Sequence, residues 1–223
     1  MLKHNDKGNA LFLVLIAVAL FAALSYAVTQ SGRGGGNTDR ENASLIASQI
    51  LQYASLVEST ITRMRLVNGC RDIEISFDTP SLSANYTNPS APADLSCHVF
   101  EENGGALQFI DEPDGNDEWL FSGSVIIQAN LGPPPFPEAD LTIMLPRISA
   151  AVCQSINRSA GINHAIDNVP LGINSLAEVP FVGDYTTMDG VTDPVLTAPP
   201  AICFREGDSD NLFFISTLIV RSN

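Results

Sequence analysis

Hydrophobic positions mark out one long apolar segment near the start of the chain. Residues 10–28 form a run of 19 residues without a charge, in which only Ser25 and Tyr26 carry polar side-chain atoms. A helix rises about 1.5 Å per residue, so a run of this length nearly spans the ~30 Å hydrocarbon core of a bilayer. The pattern predicts a transmembrane helix over residues 9–30.

A second helix is predicted by apolar residues that recur three and four positions apart. These residues form one apolar stripe, which consists of Ile46, Ile50, Tyr53, Val57, Ile61 and Met64. Leu45, Leu56 and Leu66 are predicted to widen it. Residues 31–37 read SGRGGGN, and this glycine content disfavours a regular helix. The sequence therefore predicts a glycine-rich break over residues 31–37 and an amphipathic helix over residues 38–68, with Gly69 as its C-cap.

From residue 69 onward the pattern is typical of strands and loops. All 14 prolines lie at or after Pro80, so long helices are disfavoured there. Alternating or β-branched segments predict strands at residues 72–77, 98–101, 106–110, 119–128, 141–145 and 212–221, with a hairpin turn at residues 102–105. Residues 146–159 predict a short helix. The predicted fold class is α+β: a long N-terminal helix, with a membrane half and an amphipathic half, packed on an antiparallel β-sheet in a body over residues 69–223.

Charge is distributed unevenly along the 223 residues. The chain has 11 Lys+Arg against 25 Asp+Glu, and both lysines, Lys3 and Lys7, precede the apolar run. Basic residues stay on the cytoplasmic side of a membrane helix, which places the N-terminus inside and the acidic body outside. A formal net charge of −14 argues against a nucleic-acid partner, because phosphate backbones need a basic surface.

Three fates of the N-terminus are compatible with the sequence. Residues 1–8 could be a basic leader that ends in Gly8, which would leave Asn9 as the new first residue. Alternatively, Ser25-Tyr26-Ala27 offers a small-x-small site for signal peptidase, with cleavage after Ala27. The third alternative is an uncleaved membrane anchor.

The order of these features resembles that of the type IV pilin and pseudopilin family. A basic leader ending in Gly8, an apolar helix, a helix break, an amphipathic continuation and a cysteine-containing body occur together. The resemblance covers the first third of the chain by motif and the remainder by layout. It implies processing by a prepilin peptidase at Gly8 and Asn9, and a single-pass position in a bacterial inner membrane with the body periplasmic or extracellular. It also implies assembly with other pilin-like subunits into a type IV pilus or secretion pseudopilus.

One position departs from the family pattern. The fifth residue after the expected cut is usually Glu in this family, and here it is Leu13. Since some tip subunits lack that Glu, the resemblance implies a minor or divergent subunit. Two alternatives stay open: a secreted or periplasmic disulfide-bonded binding protein cleaved after Ala27, and a simple membrane-tethered envelope domain.

The four cysteines all follow the predicted helices and suit an oxidising compartment. Their even number and wide spacing predict two disulfides, for which four cysteines allow three connectivities. Pairing between neighbours along the chain favours Cys70 with Cys97 and Cys153 with Cys203. A zinc site is disfavoured, since no CxxC pair exists and the three histidines do not cluster in the sequence.

Two acidic loops have the composition of calcium sites. Residues 111–118 read DEPDGNDE, and oxygen ligands could come from Asp111, Asp114, Asn116, Asp117 and Glu118. Residues 205–211, REGDSDN, form the second loop. Neither has EF-hand spacing, and a solvated acidic turn is the simpler interpretation; some pseudopilins bind calcium in their bodies.

Catalytic signatures are absent from the sequence. It contains no GxSxG or HExxH motif, and the glycines of residues 32–36 lack the GK[ST] ending of a phosphate-binding loop. We therefore predict a protein that is not an enzyme.

Overall fold

The computed structural model describes residues 7–31, 35–113, 117–128, 139–162, 169–172, 179–186, 189–192, 201–207 and 209–221. Within these residues lie three α-helices, α1 (Lys7–Ser31), α2 (Gly35–Arg63) and α3 (Ala150–Ser159). The same residues form five strands: β1 (Leu120–Gln128), β2 (Asp140–Leu145), β3 (Asp189–Thr192), β4 (Ala201–Arg205) and β5 (Leu212–Ile219). The chain divides into two compact units, Met1–Asn42 and Ala43–Asn223.

Helix α1 belongs to the first unit and is 25 residues long. Its side chains are described for residues 12–26, and every one of them is exposed. Over the residues that the structure describes in full, no helix is both long and apolar enough to cross a membrane.

The second unit is built on one sheet with the strand order β3-β1-β2-β5-β4. Strands β1, β2, β5 and β4 pair antiparallel, and β3 joins the edge of β1 in parallel. The predicted α+β class with an antiparallel sheet is confirmed. Because β1 and β5 are both antiparallel to β2, they run in the same direction, and both begin at the same end of the sheet.

Helix α2 contributes its apolar stripe to the core of this unit. Ile50, Val57 and Ile61 are fully buried, and so is Met64 in the turn that follows α2. The Tyr53 ring lies 5.0 Å from the ring of Trp119, which in turn lies 6.4 Å from the Phe214 ring on β5. Tilted and edge-to-face aromatic pairs of this kind are favourable beyond their buried area. The stripe predicted from the sequence is therefore the face of α2 that joins the sheet core.

Not all of the predicted stripe is buried. Leu45, Leu56 and Leu66 were expected to widen it, and this expectation is wrong: all three are exposed. The buried face is completed by small residues instead, since Ala43, Ala47 and Ala54 are among its buried positions. Alanine carries little side-chain volume, so a backbone can approach closely there while the leucines lie outside the contact.

The segment between α2 and β1 differs from its prediction. Strands were expected at residues 72–77, 98–101 and 106–110, but the structure has none of these; it has a 3₁₀ turn, Asp72–Glu74, and an isolated bridge between Ser76 and His98. The turn at residues 102–105 lies close against the backbone of the preceding segment. A Cβ at Gly104 would lie 2.1 Å from the His98 carbonyl oxygen. The alternation of apolar and polar residues in this segment therefore comes from an irregular chain that packs against the core of the second unit.

Aromatic residues hold this irregular segment on the sheet. The Phe77 ring stacks on Phe121 of β1 at 4.0 Å, and Tyr86 and Phe181 approach the same pair edge-on. The hydroxyl of Tyr86 accepts a hydrogen bond of 3.0 Å from the Phe121 N–H. The elements that were predicted correctly are α2, α3, β1, β2 and β5, whereas β3 and β4 were not predicted.

The burial contrast on α2 makes a matched pair of substitutions informative. Ile50→Ala should lower the free energy of unfolding by about 2–4 kcal/mol, because it opens a cavity at a fully buried position. Leu56→Ala, at a 47% exposed position of the same helix, should change it by less than about 1 kcal/mol. Urea unfolding of the full chain, followed by the fluorescence of Trp119, measures both. Equal losses would contradict the assignment of the buried face.

Candidate functional site

The apolar surface of α1 is the first candidate for function. Its exposed large apolar side chains are Phe12, Leu13, Val14, Leu15, Ile16, Val18, Leu20, Phe21, Leu24 and Tyr26. They occupy every side of the helix, so no polar face exists within residues 12–24. A helix that is apolar all round is normally covered, by lipid or by other protein. The predicted processing residues Gly8 and Asn9 lie at the start of α1, where the structure describes the backbone alone.

Both disulfides form with the connectivity favoured by the sequence. Cys70 pairs with Cys97 across a Cα–Cα distance of 5.8 Å, and Cys153 pairs with Cys203 at 5.3 Å. The first bridge ties the end of α2 to the irregular segment. The second ties α3 to β4. No free cysteine is present.

A buried amide strengthens the attachment of α3 to the sheet edge. The Asn157 Nδ2 donates to the Cys203 carbonyl at 2.9 Å, and the Cys203 N–H donates to Asn157 Oδ1 at 2.7 Å. Asn157 is buried, and a buried amide needs hydrogen-bond partners within the protein. One residue of β4, Cys203, satisfies both of its polar groups. The amide thus supplies the pairing that a neighbouring strand would otherwise give to β4.

The two acidic loops lie at the same end of the sheet. Asp117 and Glu118 lie just before β1, separated from it by one residue, and Asp210 is likewise separated from β5 by one residue. Because β1 and β5 run in the same direction, these residues share the end at which both strands begin. We call this group, Asp117, Glu118 and Asp210, the acidic end.

The carboxylates of the first loop already have partners in the protein. Glu118 accepts hydrogen bonds from the Ser83 N–H at 2.9 Å and the Ser83 hydroxyl at 2.6 Å, and these bonds lower the pKa of Glu118. Asp117 forms an ion pair with Arg147. Asp111 is exposed, and Asp114 and Asn116 lie outside the described residues. The part of the chain that the structure describes contains no group of three or more metal-ligating side chains, so calcium binding stays a prediction.

A cavity of about 670 Å³ lies at the end of α2 and carries much of the positive charge of the second unit. Arg65, Arg71 and Arg221 line it, together with Asp72 and the apolar residues Leu66 and Ile73. Only seven arginines and no lysine follow Ala43, against 22 acidic residues. We call it the arginine cavity.

Local contacts orient each of the three arginines. Arg65 Nη2 lies 2.8 Å from Asp72 Oδ1, and Arg71 Nη2 lies 2.7 Å from Glu74 Oε1. Arg71 Nε also donates to Glu74 Oε1 at 2.9 Å, and the Arg71 backbone N–H donates to Glu74 Oε2, which closes a reciprocal cap on the 3₁₀ turn. These contacts use only part of the donor set, because a guanidinium carries five N–H donors.

The ring of Tyr185 packs against the third arginine, Arg221. The Arg221 guanidinium lies 4.1 Å from the centre of the Tyr185 ring, within the range of a cation–π contact. The Tyr185 hydroxyl is buried and has no hydrogen-bond partner. Burial and, next, the negative charge of Asp72 raise the pKa of Tyr185. The backbone N–H of Arg221 donates to Asp140 Oδ1 at 2.9 Å, and burial raises the pKa of that carboxyl.

No local pattern in the sequence indicated this cavity. Arg65 and Arg71 are close along the chain, but Arg221 follows them by 150 positions or more. The scarcity of positive charge after residue 43 was the one indication in the sequence. In an acidic chain with few arginines, a place where several of them come together is a candidate binding site.

Comparison with known proteins adds no assignment. No protein-family model, no curated protein and no solved structure matches this chain.

The disulfide connectivity leads to a prediction about stability. Replacing Cys153 and Cys203 together with Ala should lower the free energy of unfolding by about 4 kcal/mol, and the Cys70/Cys97 pair should cost slightly less, because the second bridge closes 50 rather than 27 residues. Denaturant unfolding of the full chain measures both losses. Peptide mapping under non-reducing conditions is the control, and a cross-link between the two pairs would contradict the connectivity.

Proposed function

We propose that the protein is a pilin-like subunit that α1 holds in the inner membrane, and that it assembles through this helix with other pilin-like subunits. The filament would be a type IV pilus or a secretion pseudopilus, with the body exported. The observation that carries the proposal is the exposed apolar surface of α1 over residues 12–26, in the compact unit Met1–Asn42.

The physical argument starts from the need to cover this surface. Leaving large apolar side chains in water costs about 25 cal/mol per Å². The described side chains are the middle of the uncharged run of residues 10–28 in the sequence. A helix satisfies its backbone hydrogen bonds internally, so lipid tails can cover it, and so can the apolar flanks of similar helices. One surface therefore serves both a membrane state and an assembled state.

Two further features support an exported pilin-like subunit. The two disulfides suit an oxidising compartment outside the cytoplasm. Helices α1 and α2 correspond in this proposal to the membrane half and the amphipathic half of the pilin-like layout. Leu13, at the position where the family usually has Glu, favours a minor or tip subunit over the main shaft protein.

Processing of the N-terminus tests the proposal directly. Protein isolated from its native membrane should begin at Asn9, because a prepilin peptidase cuts after Gly8. Gly8→Leu should leave Met1 in place, whereas Ala27→Leu should not change the start. N-terminal sequencing reads all three proteins. A start at Val28 that Ala27→Leu abolishes would instead identify a secretory signal, and Met1 in every variant would identify a simple tether.

A charge in the apolar run should prevent membrane retention. Val18→Lys places an ammonium group near the centre of the bilayer, at a cost of about 2.5–3.5 kcal/mol. The matched control Ser48→Lys puts the same group on the exposed polar face of α2. We expect the first variant to be lost from the membrane fraction and the second to be retained. Retention and assembly of Val18→Lys at wild-type level would contradict the proposed role of α1.

A further inference from the structure

We propose that the arginine cavity is the acceptor in a head-to-tail contact between two copies of this chain, in which it takes up the acidic end of the next copy. The inference rests on the proposed assembly function and names a contact that the bodies would make. It depends on three observations: the chemistry of the cavity, its apolar rim, and the position of the two ends on β5.

The cavity has donor capacity to spare. Three arginines line it; Arg65 is paired with Asp72, which also lines the cavity, and Arg71 is paired with Glu74. The Arg71 side chain is 70% exposed, and Arg65 contacts Asp72 through a single nitrogen. Guanidinium groups bind carboxylates through parallel N–H donors, so the unused donors suit a carboxylate ligand. The buried hydroxyl of Tyr185, which lacks a partner, adds a further polar group close to these charges.

Three exposed apolar residues, Leu66, Val67 and Val220, lie beside these arginines, and we call them the apolar rim. Leu66 is 80% exposed and lines the cavity, while its neighbour Val67 and Val220, next to Arg221, are exposed to a similar degree. Arginine beside apolar side chains is typical of protein–protein contacts, where guanidinium groups are enriched and lysine is depleted. A free small anion would use the arginines and leave the apolar rim in water, so the rim favours a protein ligand.

The complementary surface lies at the opposite end of the same strand. Asp210 precedes β5; its side chain is fully exposed and makes one long contact, in which Arg205 Nη1 lies 3.9 Å from Asp210 Oδ1, whereas Arg221 follows β5. The eight residues of the strand separate the two ends by roughly 25 Å. One copy therefore cannot fill its own cavity with its own acidic end. A contact between unlike ends of identical chains is heterologous, so a pair of copies keeps one free cavity and one free acidic end.

Charge-reversal variants test this contact. Arg71→Glu removes a donor of the cavity, and Asp210→Lys removes an exposed carboxylate of the acidic end. Each variant alone should weaken self-association of the full chain by about tenfold or more. Sedimentation of the full chain in detergent micelles, at about 0.05 M and about 0.5 M salt, measures association, and the wild type should lose it at high salt.

A mixture of the two variants gives the sharpest result. Arg71→Glu retains its acidic end and Asp210→Lys retains its cavity, so one good contact can form between them. We expect the mixture to form one-to-one pairs with wild-type affinity and no longer chains. If the mixture associates no better than either variant alone, the head-to-tail contact is wrong.

Control variants separate the contact from general effects of charge. Arg158→Glu and Glu101→Lys reverse exposed charges that belong to neither surface, and they should leave association unchanged. Leu66→Asp alters the apolar rim without breaking an ion pair and should weaken association as Arg71→Glu does. Trp119 fluorescence confirms that each variant is folded. If glutamate or phosphate binds the wild type while no salt-sensitive association occurs, the cavity is a site for a free anion and the proposal is overturned.

The outcome is independent of the test of α1. If Val18→Lys still assembles in the membrane while Arg71→Glu and Asp210→Lys abolish association, the function of α1 fails and the body contact stands. If the N-terminus begins at Asn9 while both charge variants associate normally, the contact fails and the pilin-like function stands.

Discussion

The packing of α2 against the sheet is the contact on which the rest of the second unit depends. Tyr53 meets Trp119, and Trp119 meets Phe214, so one chain of aromatic contacts joins the helix to β5. This contact places the end of α2 beside the end of β5. The π-helical turn Met64–Asn68 then presents Arg65, and Gly69, at a φ of 72°, lets the chain reverse. The arginine cavity is therefore a consequence of the way the core is packed.

Hydrophobic periodicity was reliable wherever burial is one-sided and regular. It located α2, β1, β2 and β5, whose apolar residues fill the same core. It was wrong over residues 72–77, since Ile75 and Phe77 are buried by aromatic packing without strand pairing. Strand β4 was missed because its five residues directly follow Pro199 and Pro200 in the sequence, and proline disfavours a regular strand. Packing between distant segments decides such cases, and a local pattern does not contain it.

The candidate sites differ in the same way. The acidic loops were predicted because each consists of residues that are contiguous in the sequence. The disulfide connectivity was predicted because four cysteines allow only three pairings. That both loops lie at one end of the sheet follows from strand direction, which the sequence does not specify. The convergence of Arg221 with Arg65 and Arg71 depends on the last residues of β5 reaching the end of α2. Long-range convergence of this kind requires the folded topology.

An assembly of such chains would need contacts that set a register between neighbouring copies. Apolar surfaces attract without direction, so contact between α1 helices alone would leave sliding and rotation weakly opposed. In this chain no acidic residue lies between Gly8 and Arg33, and Leu13 cannot form a charged contact with a neighbour. Polar groups that fix the alignment must then come from the body. An arginine cavity at one end of β5 and an exposed carboxylate at the other supply opposite charges at a fixed spacing, and charge complementarity sets orientation more than affinity.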